Sequence, residues 1–220
     1  MESKRRRWRR WLKTIENEVI TLHWNRTIHR RIREIVLAKP EINYPNAFHE
    51  WIHSNYIAAT AIRLRRLTEK PFKKYPNLSV QVLLLEIAAC PHAIPNQNIR
   101  RFYRYAGGKP PSQLLKRNEA GELEVDPVGV KVAISRLEMR CERVGRFADK
   151  YIAHHDRKRS SPPKLDDVDK AIEAVAELFN EVSVLLTGRW FGTFEPSDLT
   201  GWEDILRVAW VGPATWQEES

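Results

Sequence analysis

Residues 126–155 read DPVGVKVAISRLEMRCERVGRFADKYIAHH, and this stretch decides the fold class. Asp126 followed by Pro127 is a typical helix start, because the carboxylate caps free amides and proline needs no donor in the first turn. Apolar side chains recur every three or four residues along this stretch, which predicts a long amphipathic helix in an antiparallel bundle. The apolar positions are Ile134, Leu137, Cys141, Val144, Ala148 and Tyr151.

Three other segments predict further main helices. The first runs from Trp11 to about residue 38, and the second from about Asn46 to Glu69, each with an apolar stripe at helical spacing. The last covers residues 166–186, with acids at its positive start, and Gly188 is its expected C-terminal stop. A shorter apolar segment, residues 78–89, has Ser79 as its expected N-terminal cap and is expected inside the core because it has almost no polar face.

These helices predict an all-α fold, an antiparallel bundle of four to five main helices around one core. Residues 1–10 are expected to form a basic N-terminal arm, and residues 11–187 the bundle. Prolines and glycines concentrate in residues 91–127, which predicts an irregular excursion with one short helix, IRRFYRYA. Residues 188–220 are rich in tryptophan and are expected to pack on the bundle as a C-terminal extension, with GWEDILRVAW as one short helix.

Charge points to a polyanionic partner. Lysine and arginine total 37 against 28 acids, a net charge of +9, so phosphates are attracted before any specific contact forms. Nucleic acid is the first expectation, with an acidic protein or a membrane surface behind it. No uncharged apolar run approaches the roughly 20 residues of a bilayer span, and the two cysteines lie in apolar segments. We therefore expect a soluble, cytoplasmic protein that does not enter a membrane.

The end of the long helix carries the most specific set of polar side chains. A histidine there can move the 2′-hydroxyl proton or the leaving-group proton in RNA cleavage, and a nearby cation can stabilise the phosphate. This chemistry needs no metal or other cofactor. The alternative is a solvated surface whose histidines complement the helix dipole. The candidate catalytic residues are Arg146, Asp149, Lys150, His154, His155 and Asp156.

The segment ADKYIAHHD, residues 148–156, lies on a predicted helix followed by a basic loop and another amphipathic helix. It resembles the signature end of the HEPN superfamily, particularly its abortive-infection AbiU-like branch. The arginine-rich AIRLRRLTEK and the serine-led LSVQVLLLEI precede it in the order such proteins show, so the resemblance covers about residues 45–185. It implies a helical bundle, a homodimer, and an RNA-directed, metal-independent endoribonuclease of an anti-phage or toxin–antitoxin system, with an antitoxin protein as candidate partner.

The HEPN motif is an arginine, four to six intervening residues and a histidine, with a polar residue often directly after the arginine. His154 falls on the motif histidine and Asp149 on the polar position, but Phe147, Ala148 or Asp149 stand where the arginine is expected. The nearest upstream arginine, Arg146, leaves seven residues before His154. One extra residue rotates a helical side chain by about 100° and shifts it by about 1.5 Å. A member that binds without cleaving is therefore the alternative.

The resemblance implies a role for each side chain at this helix end. His154 would be the general acid or base, and Arg146 or Lys150 would stabilise the phosphate. Asp149 or Asp156 would orient the histidine. In the non-catalytic alternative, the basic face binds nucleic acid or an acidic antitoxin and RNA stays intact.

Other basic segments predict contacts with nucleic acid. The N-terminal KRRRWRRW interleaves cations and indoles, which suits phosphate attraction with base stacking, although a solvated helix end is equally compatible with it. The candidate binding residues are Arg5, Arg6, Arg7 and Trp8 in this segment, Arg63, Arg65 and Arg66 on the second helix, and Arg157, Lys158 and Arg159 after the long helix.

A third interpretation is a zinc peptidase. His49-Glu50-Trp51-Ile52-His53 is an H-E-x-x-H pattern on a predicted helix, which would place two histidines on one face beside a general-base glutamate. A third ligand is needed, and Glu69 and Glu86 are only generic candidates. The alternative, which we favour, is that His49 and His53 are exposed or hydrogen-bonded and that no metal binds.

Overall fold

The computed structural model describes residues 2–38, 47–72, 77–105, 114–153, 161–196 and 201–203. In this part of the chain six α-helices account for most residues, so the prediction of an all-α fold is confirmed. A π-helix continues the fifth helix, and a 3-10 turn precedes the fourth. The helices are α1 Glu2–Ala38, α2 Ala47–Leu67, α3 Val80–Ala89, α4 Asn96–Tyr105, α5 Pro127–Phe147 and α6 Leu165–Thr187, and the π-helix spans Ala148–Ala153.

Ion pairs between the long helices define their directions. Arg140 of α5 pairs with Glu177 of α6 at 2.5 Å, and Arg143, one turn later, pairs with Asp167 at 3.1 Å. The partner numbers fall as the α5 numbers rise, so α5 and α6 are antiparallel. By the same reasoning α1 is antiparallel to α6, through the pairs Arg26–Glu173 and Arg30–Asp169.

One continuous apolar core joins these helices and extends from Trp8 to Phe194. The predicted stripe of α5 is buried, including Ile134, Leu137 and Val144. Cys141 belongs to the same stripe, and burial raises the pKa of its thiol to about 12. A thiol that stays protonated at neutral pH is a packing residue and not a nucleophile.

Predicted helix boundaries correspond to hydrogen bonds that satisfy free backbone groups. The Ser79 hydroxyl accepts from the Val82 amide at 3.1 Å, and the Asp126 carboxylate accepts from the Val128 amide at 3.1 Å. Gly188 ends α6 with φ of +72°, a left-handed conformation that glycine adopts without steric cost.

The basic segment at the N-terminus belongs to α1, which begins at Glu2 and not near Trp11. Trp8 is fully buried, and its indole N–H donates to Glu86 of α3 at 2.7 Å. Arg7 pairs with the same carboxylate. Residues 2–10 are therefore the first turns of α1, docked on α3, and not an arm that leaves the bundle.

The predicted excursion contains regular structure. The expected short helix is α4, and residues 115–125 form an antiparallel hairpin of β1 Leu115–Arg117 and β2 Leu123–Val125. Lys116 lies opposite Glu124 across the two strands. The hairpin was not predicted, because strands of three residues are too short to show an alternating pattern.

The start of the C-terminal extension packs on α1 and α6. Phe194 is buried, and the Asn180 side chain of α6 bonds both the N–H and the C=O of Phe191, at 3.0 and 3.1 Å. Glu195 binds Arg26 and Thr27 of α1. Most of the predicted helix GWEDILRVAW lies outside the described residues. None of the described helices combines the length and apolarity needed to cross a bilayer.

Candidate functional site

Two of the three positions where the motif arginine is expected lie in the core, at the junction of α5 and the π-helix. Phe147 and Ala148 are each 4% exposed, so neither position faces a ligand. Asp149, the third position, is exposed and carries the opposite charge. None of the three positions thus carries a cation.

The backbone of this segment changes from α-helix to π-helix at Ala148 and remains so through Ala153. A π-turn closes its hydrogen bond from i to i+5 in place of i+4, so it accommodates one additional residue per turn. The spacing between Arg146 and position 154 is one residue longer than the longest spacing of the motif. The π-helix can therefore accommodate the one residue by which the spacing from Arg146 to position 154 exceeds that of the motif.

Arg146 is available at the surface of α5. Its guanidinium pairs with Glu142 one turn earlier, and the two side chains are 58% and 63% exposed. An exposed i,i+4 ion pair contributes only about 0.3–0.5 kcal/mol, because water screens both charges. A phosphate could therefore replace Glu142 as the partner of Arg146 at small cost.

Helix α2 supplies a second guanidinium to this region. Arg65 Nε donates to Asp149 Oδ1 at 2.7 Å, and its Nη1 lies 3.6 Å from Glu69. Arg65 thus bridges α2 and the start of the π-helix. Lys150, the next residue, is exposed. One end of the bundle therefore holds four charged side chains, those of Asp149, Lys150, Arg146 and Arg65. The sequence linked only the first three of them.

The remaining predicted residues of this helix end lie outside the described part of the chain. They are the candidate catalytic residues His154, His155 and Asp156 and the candidate binding residues Arg157, Lys158 and Arg159.

Comparison with known protein families gives a match. The sequence model of the HEPN AbiU2 family matches residues 6–204, nearly the whole chain. The chain belongs to the AbiU2 family of HEPN proteins. It is thus an abortive-infection HEPN-like protein, as the resemblance predicted. No curated protein and no solved structure matches it.

Several of the basic residues predicted to bind nucleic acid are neutralised in this AbiU2-family protein. Arg63 pairs with Glu18 of α1 at 2.7 Å, and Arg66 lies 3.9 Å from the same residue. Arg5 is half-buried, whereas Arg6 is exposed. Trp8 is buried in the core and offers no ring face for base stacking. Arg6 is thus the most accessible of the predicted N-terminal cations.

The two histidines of the H-E-x-x-H pattern line a cavity of about 150 Å³ between α1 and α2, together with His29 and Arg33. His53 Nδ1 lies 3.2 Å from His29 Nε2, and the His29 ring stacks on Tyr56 at 4.0 Å between centroids. Burial is the main cause that lowers the pKa of His29 to about 4, and the nearby His53 and Arg33 lower it further by electrostatic repulsion. Burial and Arg33 also lower the pKa of His53.

This arrangement describes a hydrogen-bonded pair of neutral imidazoles. Within the described ranges there is no group of three or more histidine, cysteine or acidic side chains arranged to hold a metal ion. The generic third ligands are engaged elsewhere, Glu69 beside Arg65 and Glu86 with Trp8. His29 was not singled out from the sequence, since only the packing of α1 on α2 brings it to His53.

A buried polar cluster on α1 was also missed. Arg26 is 4% exposed and binds both Glu173 of α6 and Glu195 of the C-terminal segment. Its Nη2 lies 2.9 Å from His23 Nδ1. Because Glu173 and Glu195 lie more than a hundred residues from Arg26, no spacing rule in the sequence could have grouped them.

Proposed function

We propose that this AbiU2-family protein is an RNA-directed enzyme that cleaves RNA without a metal through His154 and Arg146. The observation that carries the proposal is the π-helix at Ala148–Ala153. Eight α-helical steps from Arg146 to position 154 would leave the two roughly 80° apart around the axis. Absorbing one residue reduces this to about 20°, the relation of an R-x6-H motif on one helix face.

The proposed reaction is a transesterification at one phosphate. His154 removes the proton from the 2′-hydroxyl, and the 2′-oxygen attacks the adjacent phosphorus. The bond to the 5′-oxygen breaks, this oxygen takes up a proton, and a 2′,3′-cyclic phosphate remains. Arg146 or Lys150 offsets the negative charge that grows on the phosphoryl oxygens. Asp149 or Asp156 orients the histidine, and Arg65 holds Asp149 from α2.

The test is cleavage of mixed cellular RNA in EDTA, with identification of the 3′ ends. We expect cyclic phosphate ends, a loss of about 100-fold or more for His154→Ala and of roughly 10- to 100-fold for Arg146→Ala. Arg143→Ala is the matched control, because Arg143 lies one turn earlier on α5 and pairs with Asp167 at 3.1 Å. Equal activity of the Arg146 and Arg143 variants would contradict the role of Arg146.

A second candidate function is binding without cleavage. The burial of Ala148, on a position where the motif has its arginine, favours it. In this case RNA remains intact after prolonged incubation, while binding is retained and weakens with salt. The same purified protein distinguishes the two candidates, since only the first produces cyclic phosphate ends.

Assembly forms part of the proposal. We expect a homodimer in the cytoplasm from the family resemblance, and an acidic antitoxin that covers the basic surface because the net charge is +9. Light scattering of the purified protein would test the dimer, and a monomer at micromolar concentration would contradict it.

A further inference from the structure

A cavity of about 410 Å³ lies between α1, α6 and the segment that follows Gly188. It is open to solvent on one side and shares none of its lining residues with the end of α5. Its inner wall contains His23 and Arg26, and its outer wall contains Glu177 and Trp190. The proposed RNA chemistry does not use this cavity.

The cavity wall is negatively charged although the chain is strongly basic. Four glutamates line it, of which Glu173 and Glu195 share the one positive charge of Arg26, while Glu177 pairs with Arg140 on the surface. Burial alone would raise the pKa of Glu195, but hydrogen bonds from Thr27 and Arg26 outweigh it and lower that pKa. Glu195 is therefore ionised at neutral pH, and the wall carries an excess of negative charge. Such a wall attracts cations and repels phosphate.

An aromatic ring completes the outer wall. Trp190 is 47% exposed, whereas Phe194 beside it is buried against α6. An exposed indole face attracts a cation through the negative face of the ring, and more strongly when the site is desolvated. A tryptophan beside carboxylates is the combination that selects an organic cation over a hydrated metal ion.

The inner wall has hydrogen-bond donors without partners. Arg26 donates to His23 Nδ1, so the neutral imidazole carries its proton on Nε2. This atom and Arg26 Nε are buried and have no hydrogen-bond partner within the part of the chain that the structure describes. The side chains of His23 and Arg26 are 4% and 5% exposed. Water does not reach these two atoms, so a ligand acceptor would pair with them only after the His23 and Arg26 side chains shift on binding.

We propose that this cavity binds a small organic cation that carries a guanidinium or ammonium group and a hydrogen-bond acceptor. The cationic group lies against Trp190 and the outer carboxylates, among them Glu177. The acceptor points to the inner wall formed by His23 and Arg26. The volume exceeds the roughly 300 Å³ at which typical small-molecule pockets begin.

The test uses N-acetyl-L-argininamide and its neutral analogue N-acetyl-L-citrullinamide as probes, with calorimetry and the indole N–H signals in NMR as readouts. The two probes have nearly the same shape and the same backbone amide acceptors, and they differ at the side-chain end, where citrulline has a neutral urea in place of the guanidinium. We expect saturable binding of the arginine probe at millimolar concentration or below, and binding of the citrulline probe weaker by about 10-fold or more. Equal binding of both probes, or no binding, would overturn the proposal.

Variants locate the binding site. Trp190→Ala should weaken binding of the arginine probe by about fivefold or more, since it removes the cation–π contact. Trp51→Ala is the matched control, because Trp51 is 61% exposed and lies on α2, outside the cavity. Glu177→Gln should weaken binding to a smaller extent without loss of folding, because its pair with Arg140 is on the surface. Unchanged binding in Trp190→Ala would place the probe elsewhere and overturn the proposal.

Discussion

At the scale of single residues, Trp8 is the largest fully enclosed side chain among the residues that the structure describes. Its N–H donates to Glu86 at 2.7 Å, so truncation leaves both a cavity and an unpaired carboxylate oxygen. We expect Trp8→Ala to lower the free energy of unfolding by about 3–5 kcal/mol in urea denaturation. Trp51→Ala should cost less than about 1 kcal/mol, because Trp51 is 61% exposed. Similar losses in both variants would contradict the docking of residues 2–10 on α3.

The lowered pKa of His29 predicts how the free energy of unfolding depends on pH. Its folded-state pKa of about 4 lies below the ordinary value of 6.5, so the unfolded chain binds the proton more tightly. The associated stability is complete above about pH 6.5 and is lost as the pH falls towards 4, by at most about 3 kcal/mol. His29→Gln should flatten the decrease in unfolding free energy across this interval.

The control for His29 is His92→Gln, since His92 is exposed on the 3-10 turn. It should retain the pH dependence of the parent protein in urea denaturation at pH 7.5, 6.5, 5.5 and 4.5. If His29→Gln and His92→Gln gave the same pH slope, His29 would not be the group that titrates on unfolding.

At the scale of secondary-structure elements, the π-helix predicts how RNA cleavage responds when one residue is removed from or added to this segment. Deleting the exposed Lys150 removes one residue from Ala148–Ala153 and should convert the segment to an α-helix with an R-x6-H spacing. Because Arg146 and His154 keep their relation, RNA cleavage should match that of Lys150→Ala within about threefold. Insertion of one alanine after Lys150 should reduce cleavage by about 100-fold, since a misplaced group loses productive geometry.

The elements that could be predicted from the sequence are those with a local physical signal. Ser79, Asp126 and Gly188 are correct boundaries because capping and left-handed glycine depend on neighbouring backbone groups. The start of α1 was placed nine residues late because the basic residues obscured the buried side chains. A helical signal was nevertheless present, since Trp8, Leu12, Ile15 and Val19 are all buried and recur every three or four residues.

The sequence predicts residues of the candidate site only where they lie close together along the chain. Arg146, Asp149 and Lys150 lie along one stretch of chain, so their spacing and a family pattern identify them together. The contact between Arg65 and Asp149 joins residues of α2 and the π-helix, and it follows only from the packing of those helices. The cluster of Arg26, Glu173 and Glu195 needs three parts of the chain, and a sequence pattern cannot group such parts.

At the scale of the whole molecule, the net charge of +9 is distributed unevenly. The arginines at the C-terminal half of α2 face acids of α1 and the π-helix, as in the pair Arg63–Glu18. The cavity between α1 and α6 is negatively charged, through Glu173 and Glu195 among others. The exposed start of α1 is therefore a better candidate for polyanion binding than α2.

Arg6, Arg9 and Arg10 are exposed and lie on one face of α1, because helical residues three and four apart are neighbours. Replacing all three by alanine should weaken RNA binding by about 10-fold or more at 0.1 M salt and lower the slope of log K against log salt by about 2. The matched control replaces Arg63 and Arg66, which lie beside Glu18, and should leave the slope nearly unchanged. Binding that responds to the α2 control and not to the α1 variant would place the RNA surface on α2. A slope unaffected by either set would show that neither surface contacts the RNA backbone, because each phosphate contact releases counterions.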